Sequence, residues 1–313
     1  MSSKTFPLYT ENGCFELRRV EAKPTHSSKR FRTTPVGNRL RLPQVPPTIS
    51  FDSALATAKA DRIFGPLVAI CQHGDAAGKK EAAAALGTLA TNNADNQVLI
   101  ANAGAVEPLV ELVRSGDAAG KEKAAGALGW IAVNDDNKVL IANYGAVEPL
   151  VALVCSGDAG GKQKAAWALG WLARNAEKKV LIAKAGAVEP LVELVRSGDA
   201  GGKNEAADTL CILAANAENK VLIANAGAVG PLVELVRSGD ARAKQKAVSA
   251  LKVLAGNDDN QVLIVNAGAV GPLVELMRSV DARIKKQAEL CLDKLALNAA
   301  NKAEIEAART QGR

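Results

Sequence analysis

From about residue 51 onward, apolar residues recur in blocks that repeat nearly the same text, and the clearest block runs from Asp136 to Ala176. It opens on Val139, Leu140 and Ile141 and breaks at Gly145. It resumes with apolar residues at helical spacing from Val147 to Val154, then closes with Ala165, Ala168, Leu169, Leu172 and Ala173 at i, i+3, i+4, i+7 and i+8. This pattern predicts three amphipathic helices: a short one over 137–143, a second over 147–154, and a longer third over 158–173. Pro149 falls in the first turn of the second, where a missing N–H costs little. Asp158 is suited to cap the third, because its carboxylate can accept from free first-turn amides. The apolar stripe of the third helix is mostly alanine, so helices can approach closely there.

The block is one of a series. Proline recurs at Pro66, Pro108, Pro149, Pro190, Pro231 and Pro272, and aspartate follows nine residues later at Asp75, Asp117, Asp158, Asp199, Asp240 and Asp281. The spacing is 42 once and 41 thereafter. A fixed period in this range marks a stacked repeat protein, since one unit cannot bury three apolar faces alone whereas neighbours bury a continuous core.

Three helices per unit, a glycine between the first two, proline opening the second and an alanine-rich third resemble the armadillo repeat family. GAVEPLVELV at 104–113 and 186–195, GAVGPLVELV at 227–236 and AAWALGWLA at 165–173 are similar to that family's second and third helices. HEAT repeats are the nearest rival, but they have two helices and no such glycine break. The resemblance covers 51–313. It implies an all-α, right-handed superhelix with three helices per unit of about 41 residues and a concave groove lined by the third helices. The expected divisions are a degenerate first repeat at 51–94, full repeats at 95–135, 136–176, 177–217, 218–258 and 259–299, and a capping helix over 300–313.

Residues 1–50 read differently. They hold six of the twelve prolines, show no apolar period, and suit a basic, disordered arm. The arm carries nine basic residues against three acidic ones, which equals the net charge of +6 for the whole chain, so the repeats hold thirty of each sign. The array therefore lacks the electrostatic footprint of a nucleic-acid surface. The segment Ser27 to Arg32 could instead dock on an acidic partner or serve as a targeting signal, and Glu11, Glu16 and Glu21 count against a cleaved presequence. No apolar run reaches membrane-spanning length.

Candidate chemistry is sparse. Cys14, Cys71, Cys155, Cys211 and Cys291 share no register and form no CxxC, and His26 and His73 are the only histidines. Neither set suits a metal site or a catalytic triad, and no glycine-rich phosphate loop is present. The expectation is a chain with no enzymatic activity, no cofactor and no metal.

Function then rests on the groove. Counted from the capping aspartate at about 100° per residue, the apolar stripe occupies offsets 7, 10, 11, 14 and 15, so offsets 6, 9, 13 and 16 face away from the core. Offset 9 holds Ala84, Gly126, Trp167, Asp208, Ser249 and Leu290, while offset 13 holds Thr88, Trp130, Trp171, Ile212, Val253 and Lys294. All three tryptophans lie on these rows, with Lys123, Lys164 and Glu205 at offset 6 and Arg174 at offset 16. Large indoles turned from a core suit a binding hot spot. The candidate partner-binding set is Trp130, Trp167, Trp171, Lys123, Lys164, Arg174, Glu205 and Asp208. The competing reading is that the indoles only fill gaps between neighbouring helices.

Two further ladders read as structural. Lys79, Lys121, Lys162, Lys203, Lys244 and Lys285 stand at offset 4 and are expected to snorkel beside the core with the capping aspartate as partner. Asn92, Asn134, Asn175, Asn216, Asn257 and Asn298 are expected to close the third helices as left-handed caps. The resemblance implies a monomeric protein-interaction scaffold with a protein or peptide partner, no small-molecule substrate, and a cytoplasmic location with the nucleus as alternative. A second implied role is an importin-alpha-like transport adaptor whose basic arm inhibits its own groove. That group uses tryptophans at offset 9 and asparagines at offset 13, and only Trp167 matches.

Overall fold

The computed structural model describes residues 50–311. The basic arm expected over 1–50, including Cys14 and His26, lies outside the described residues apart from Ser50, whose hydroxyl accepts from the Ser53 amide and caps the first helix.

Among the described residues nineteen helices follow in order. The first unit holds α1 (Phe51–Asp61), α2 (Gly65–His73) and α3 (Ala76–Ala90). The next two hold α4 (Ala94–Asn102), α5 (Val106–Ser115) and α6 (Ala118–Ile131), then α7 (Asp135–Asn143), α8 (Val147–Ser156) and α9 (Ala159–Leu172). After them come α10 (Ala176–Lys184), α11 (Val188–Ser197) and α12 (Ala200–Leu213), then α13 (Ala217–Asn225), α14 (Val229–Ser238) and α15 (Ala241–Leu254). The last full unit is α16 (Asp258–Asn266), α17 (Val270–Leu276) and α18 (Ala282–Leu295), and α19 (Ala299–Gln311) ends the stack. The helices wind as a right-handed solenoid, with Ile305 of α19 fully buried against the last unit.

Local chemistry sets the helix ends. Asp75, Asp117, Asp158 and Asp199 accept from the amides of Gly78, Gly120, Gly161 and Gly202 at 2.6–2.7 Å, as the capping reading requires. Between first and second helices the chain turns at Gly104, Gly145, Gly186, Gly227 and Gly268, with φ from +71° to +83°. That left-handed backbone is open to glycine and disfavoured for other residues, which is why the break between those helices is a glycine each time.

The asparagine ladder is corrected by the structure. Asn134, Asn175, Asn216 and Asn257 have extended backbones and cap the N-termini of the following first helices, each side chain accepting from an amide in that helix. Only Asn92 is left-handed, with φ +52°. The turn between third and first helices is short, an alanine such as Ala173 ending one helix and the asparagine two residues on beginning the next, and the orphan amides of the new helix attract the side-chain oxygen.

The structure also reveals a second asparagine row. Asn96, Asn137, Asn219, Asn260 and Asn301 are buried near the starts of first helices. Each donates to a carbonyl at the end of the preceding third helix, as Asn137 does to Ile131 at 3.1 Å. Asn137 Nδ2 also reaches the Gln97 carbonyl one unit back at 3.0 Å, and Asn219 and Asn260 repeat that bridge to Lys179 and Lys220. Half-buried Lys178 takes this place in the remaining unit.

The Val-Leu-Ile triplets divide. Ile100, Ile141, Ile182, Ile223 and Ile264 are fully buried, whereas Val98, Leu99, Val139, Leu181, Val221, Leu222 and Leu263 are exposed, because three consecutive residues cannot share one face of a helix. Cys71 and Cys291 are buried, Cys211 is half-buried and Cys155 is exposed.

Asn137→Ala should lower stability by about 1–3 kcal/mol, since it leaves the buried Ile131 and Gln97 carbonyls without their donor. Denaturant titration checks this, and an unchanged midpoint would deny the asparagine its bridging role.

Candidate functional site

Successive third helices pack directly on one another, while successive second helices touch more lightly. The closely packed layer is the inside of the curve, and its open side carries the offset rows. Contacts between units set their register. Asp208 at offset 9 of α12 pairs with Lys246 at offset 6 of α15, and Trp130 at offset 13 of α6 meets Trp167 at offset 9 of α9.

All three indoles are half-buried. Trp130 and Trp167 pack edge to face, with ring centroids 4.9 Å apart and planes at 68°, a favoured aromatic geometry. Trp167 lies over Gly129, where a Cβ would stand 2.4 Å from the ring, so a glycine in α6 is what lets the indole settle. One turn further along α9, Trp171 carries the Arg174 guanidinium 4.4 Å from its ring and has the Lys138 ammonium 6.0 Å away. Two cations thus lie over the one indole ring.

Of the other candidates, Lys164 stays close to the indoles, and its stem fills the space over Gly126. Lys123 is exposed and pairs with Glu122 at 2.9 Å. Glu205 and Asp208 belong to the next helix and are committed to Arg242 and Lys246 at 2.9 and 2.7 Å, so they form a separate ion-pair set. Burial raises the Glu205 carboxyl above its ordinary value, with Asp208 adding to the rise and Arg242, Lys246 and Lys164 opposing it. The sequence reading missed Lys138, because only third helices were indexed and Lys138 lies in a first helix. It is almost fully buried, donates to the Val133 carbonyl at 3.2 Å and hydrogen-bonds Asp135, holding that carboxyl below the usual range.

The offset 4 lysines also differ from expectation. Among the described residues no ion pair joins them to the capping aspartates, whose oxygens take first-turn amides instead. Lys79, Lys121 and Lys162 line clefts of about 360, 250 and 480 Å³ against the next unit's second helix. Lys162 there helps hold Glu193 below the usual carboxylate range, after hydrogen bonds from Ser197 and Arg196. Among the described residues no cluster of His, Cys, Asp and Glu could hold a metal, and no single helix is long and apolar enough to cross a membrane.

A stack of three-helix units with side chains displayed on a continuous inner layer defines an α-solenoid repeat protein. The family model described as the plant U-box protein ARM repeat region matches residues 66–257, and the armadillo/beta-catenin-like repeat model matches 257–288. The chain belongs to the armadillo-repeat family. A comparison with curated proteins finds no match. Among solved structures, an engineered protein is 34% identical with a TM-score of 0.72, covering 75% of this chain and 98% of that one. A designed armadillo repeat protein is 26% identical, with a TM-score of 0.70 and coverage of 74% and 99%. Another, in complex with the peptide (KR)4, is also 26% identical, with a TM-score of 0.68 and coverage of 74% and 98%.

Gly129→Ala should push the Trp167 ring off α6 and break its edge contact with Trp130, changing the near-UV circular dichroism and costing about 1–3 kcal/mol. An unaltered spectrum would mean the glycine does not seat the indole. For Glu205 the sign follows from its raised value. The folded state holds the proton more tightly than the unfolded chain, so the stability linked to Glu205 is present at low pH and lost as pH rises above the ordinary 4.5. Glu205→Gln should therefore gain stability relative to the parent as pH rises above the ordinary 4.5 in thermal melts. A constant difference would contradict it.

Proposed function

We propose that the chain is a non-enzymatic scaffold that holds an extended or helical segment of a protein partner against the inner face of α6 and α9. The observation that carries this reading is the half-exposed indole cluster. Trp130 and Trp167 form one aromatic pair, and Trp171 sits beside it under Arg174. Lys164 borders the cluster, Lys123 adds a peripheral charge, and Glu205 and Asp208 lie at its far edge with their charges already matched. Flat aromatic surface loses little conformational freedom on binding, and hot spots are enriched in tryptophan and arginine. Armadillo relatives bind peptides or proteins, and a designed armadillo repeat protein forms a complex with (KR)4.

The adaptor reading has less support. The inner offset 13 row offers Trp130, Trp171, Ile212 and Val253 where that group uses backbone-gripping amides, and the cations near the indoles oppose a basic arm or cargo. A reducing, cytoplasmic setting suits the four described cysteines, which are free thiols.

Replacing Trp130, Trp167 and Trp171 together by Ala should weaken capture of the cellular partner by at least an order of magnitude, each truncation contributing roughly 2 kcal/mol. Affinity purification followed by titration measures it. Undiminished capture by a folded triple variant would dismiss the indole face as the binding surface.

A further inference from the structure

The inner face changes chemistry between α9 and α18. Lys138, Lys179 and Lys220 occupy the same place on three successive first helices, and Lys138 and Lys220 reach the end of the third helix of their own unit. Only Lys138 has a carboxylate partner, Asp135 three residues before it, where the other two have Ala176 and Ala217. Lys220 extends over the end of α15. A Cβ placed on Gly256 would meet its ammonium at 3.1 Å and the Lys294 ammonium at 3.2 Å. Two positive groups, from α13 and α18, thus share the space above one glycine, and no ion pair joins either to a carboxylate among the described residues. Lys252 stands on α15 and donates to the neutral Gln287 side-chain amide of α18. All three lysines are half-buried, so water screens them less than it screens free surface charge.

Of the acids that balance the array, Asp258 and Asp259 follow Gly256 at the start of α16, where Asp258 accepts from Gln261 and no ion pair joins either to a lysine among the described residues, and others are committed farther off. Glu111, Glu193 and Glu234 are on the outer second helices, each paired with an arginine of its own helix. Asp293, near the lysines in sequence, pairs with Arg309, and Glu289 pairs with Lys286. Like charges gathered without counter-charges raise one another's energy, and an anion placed between them relieves it.

We propose that the inner face over α15 and α18 docks an acidic stretch of a protein partner, with side-chain carboxylates bridging Lys220 and Lys294 above Gly256 and reaching Lys252. This rests on the groove-scaffold reading and names the partner's chemistry: one segment with apolar or aromatic residues over the indoles and Asp or Glu residues two to three units along. A protein acid fits better than a nucleic acid. The rows beside these lysines hold Ile212, Ser249, Val253 and Leu290, with no aromatic platform for bases, and the repeats as a whole carry equal numbers of each charge.

The test uses the full chain and fluorescein-labelled octapeptides (DE)4, (NQ)4 and (KR)4, with an oligothymidine of equal length, followed by anisotropy. Binding of (DE)4 above the other three is expected, falling steeply as salt is added. Lys220→Gln with Lys294→Gln should weaken it roughly tenfold or more, since each removes a charge-assisted hydrogen bond. The same double variant should melt no lower than the parent, because it loses repulsion and no ion pair. No binding of (DE)4, equal binding of (NQ)4, tighter binding of (KR)4 or of the oligonucleotide, or full (DE)4 binding by the double variant each overturns the proposal. The two readings fail separately. A partner lost on tryptophan replacement but indifferent to the two lysines keeps the scaffold and removes the acidic site, and the converse removes the indole face.

Discussion

The close approach of one third helix to the next is the constraint on which the rest of the molecule depends. Ala82, Ala124, Ala165, Ala206 and Ala247 are all fully buried along this seam, and Gly87 and Gly129 admit neighbours nearly to backbone contact. A seam of small side chains holds little apolar area per residue, and burial contributes in proportion to area. The larger aliphatic residues of the second helices, such as Leu109, Leu150 and Leu191, supply what the seam lacks. Bulky groups are thereby kept off the inner contact. Trp130, Trp167 and Trp171 are half-buried beside this seam, with Trp167 seated on Gly129 of the neighbouring third helix.

The buried asparagines address the polar consequence of the same geometry. Each unit ends a third helix and starts a first helix within a few residues, leaving carbonyls of one and amides of the other without partners. Asn134, Asn216 and Asn257 satisfy amides from outside the helix, and Asn137, Asn219 and Asn260 satisfy carbonyls from inside it. Because the second set also reaches back one unit, hydrogen bonding ties neighbours together as well as closing each turn. In a stack whose units contact only their neighbours, such bridges belong to the nearest-neighbour terms that hold the array together.

Charge shows how balance over the whole can coexist with local imbalance. Equal numbers of acids and bases in the repeats gave no sign of a cationic inner face, and on count alone the groove was neutral. Folding sends Glu111, Glu193 and Glu234 to the outside with arginines beside them, pairs Glu205 and Asp208 across α12 and α15, and leaves Lys220 and Lys294 facing one another. Where a charge ends up depends on helix phase and on which unit lies next, neither of which a total records.

The period, the three helices, the glycine turns and the aspartate caps were all legible in the chain, because each depends on residues within one unit. Asn134 and its equivalents were misread because asparagine suits either end of a helix, and one short turn contains both ends. The partners of Lys138, Lys162, Glu205 and Asp208, the seat of Trp167 on Gly129 and the meeting of two lysines over Gly256 were decided only by the tertiary structure. Local rules act over one helical turn. Apart from the Lys138–Asp135 pair, these contacts join residues of different helices far apart in the chain, and their register comes from how closely one alanine-lined helix settles on the next.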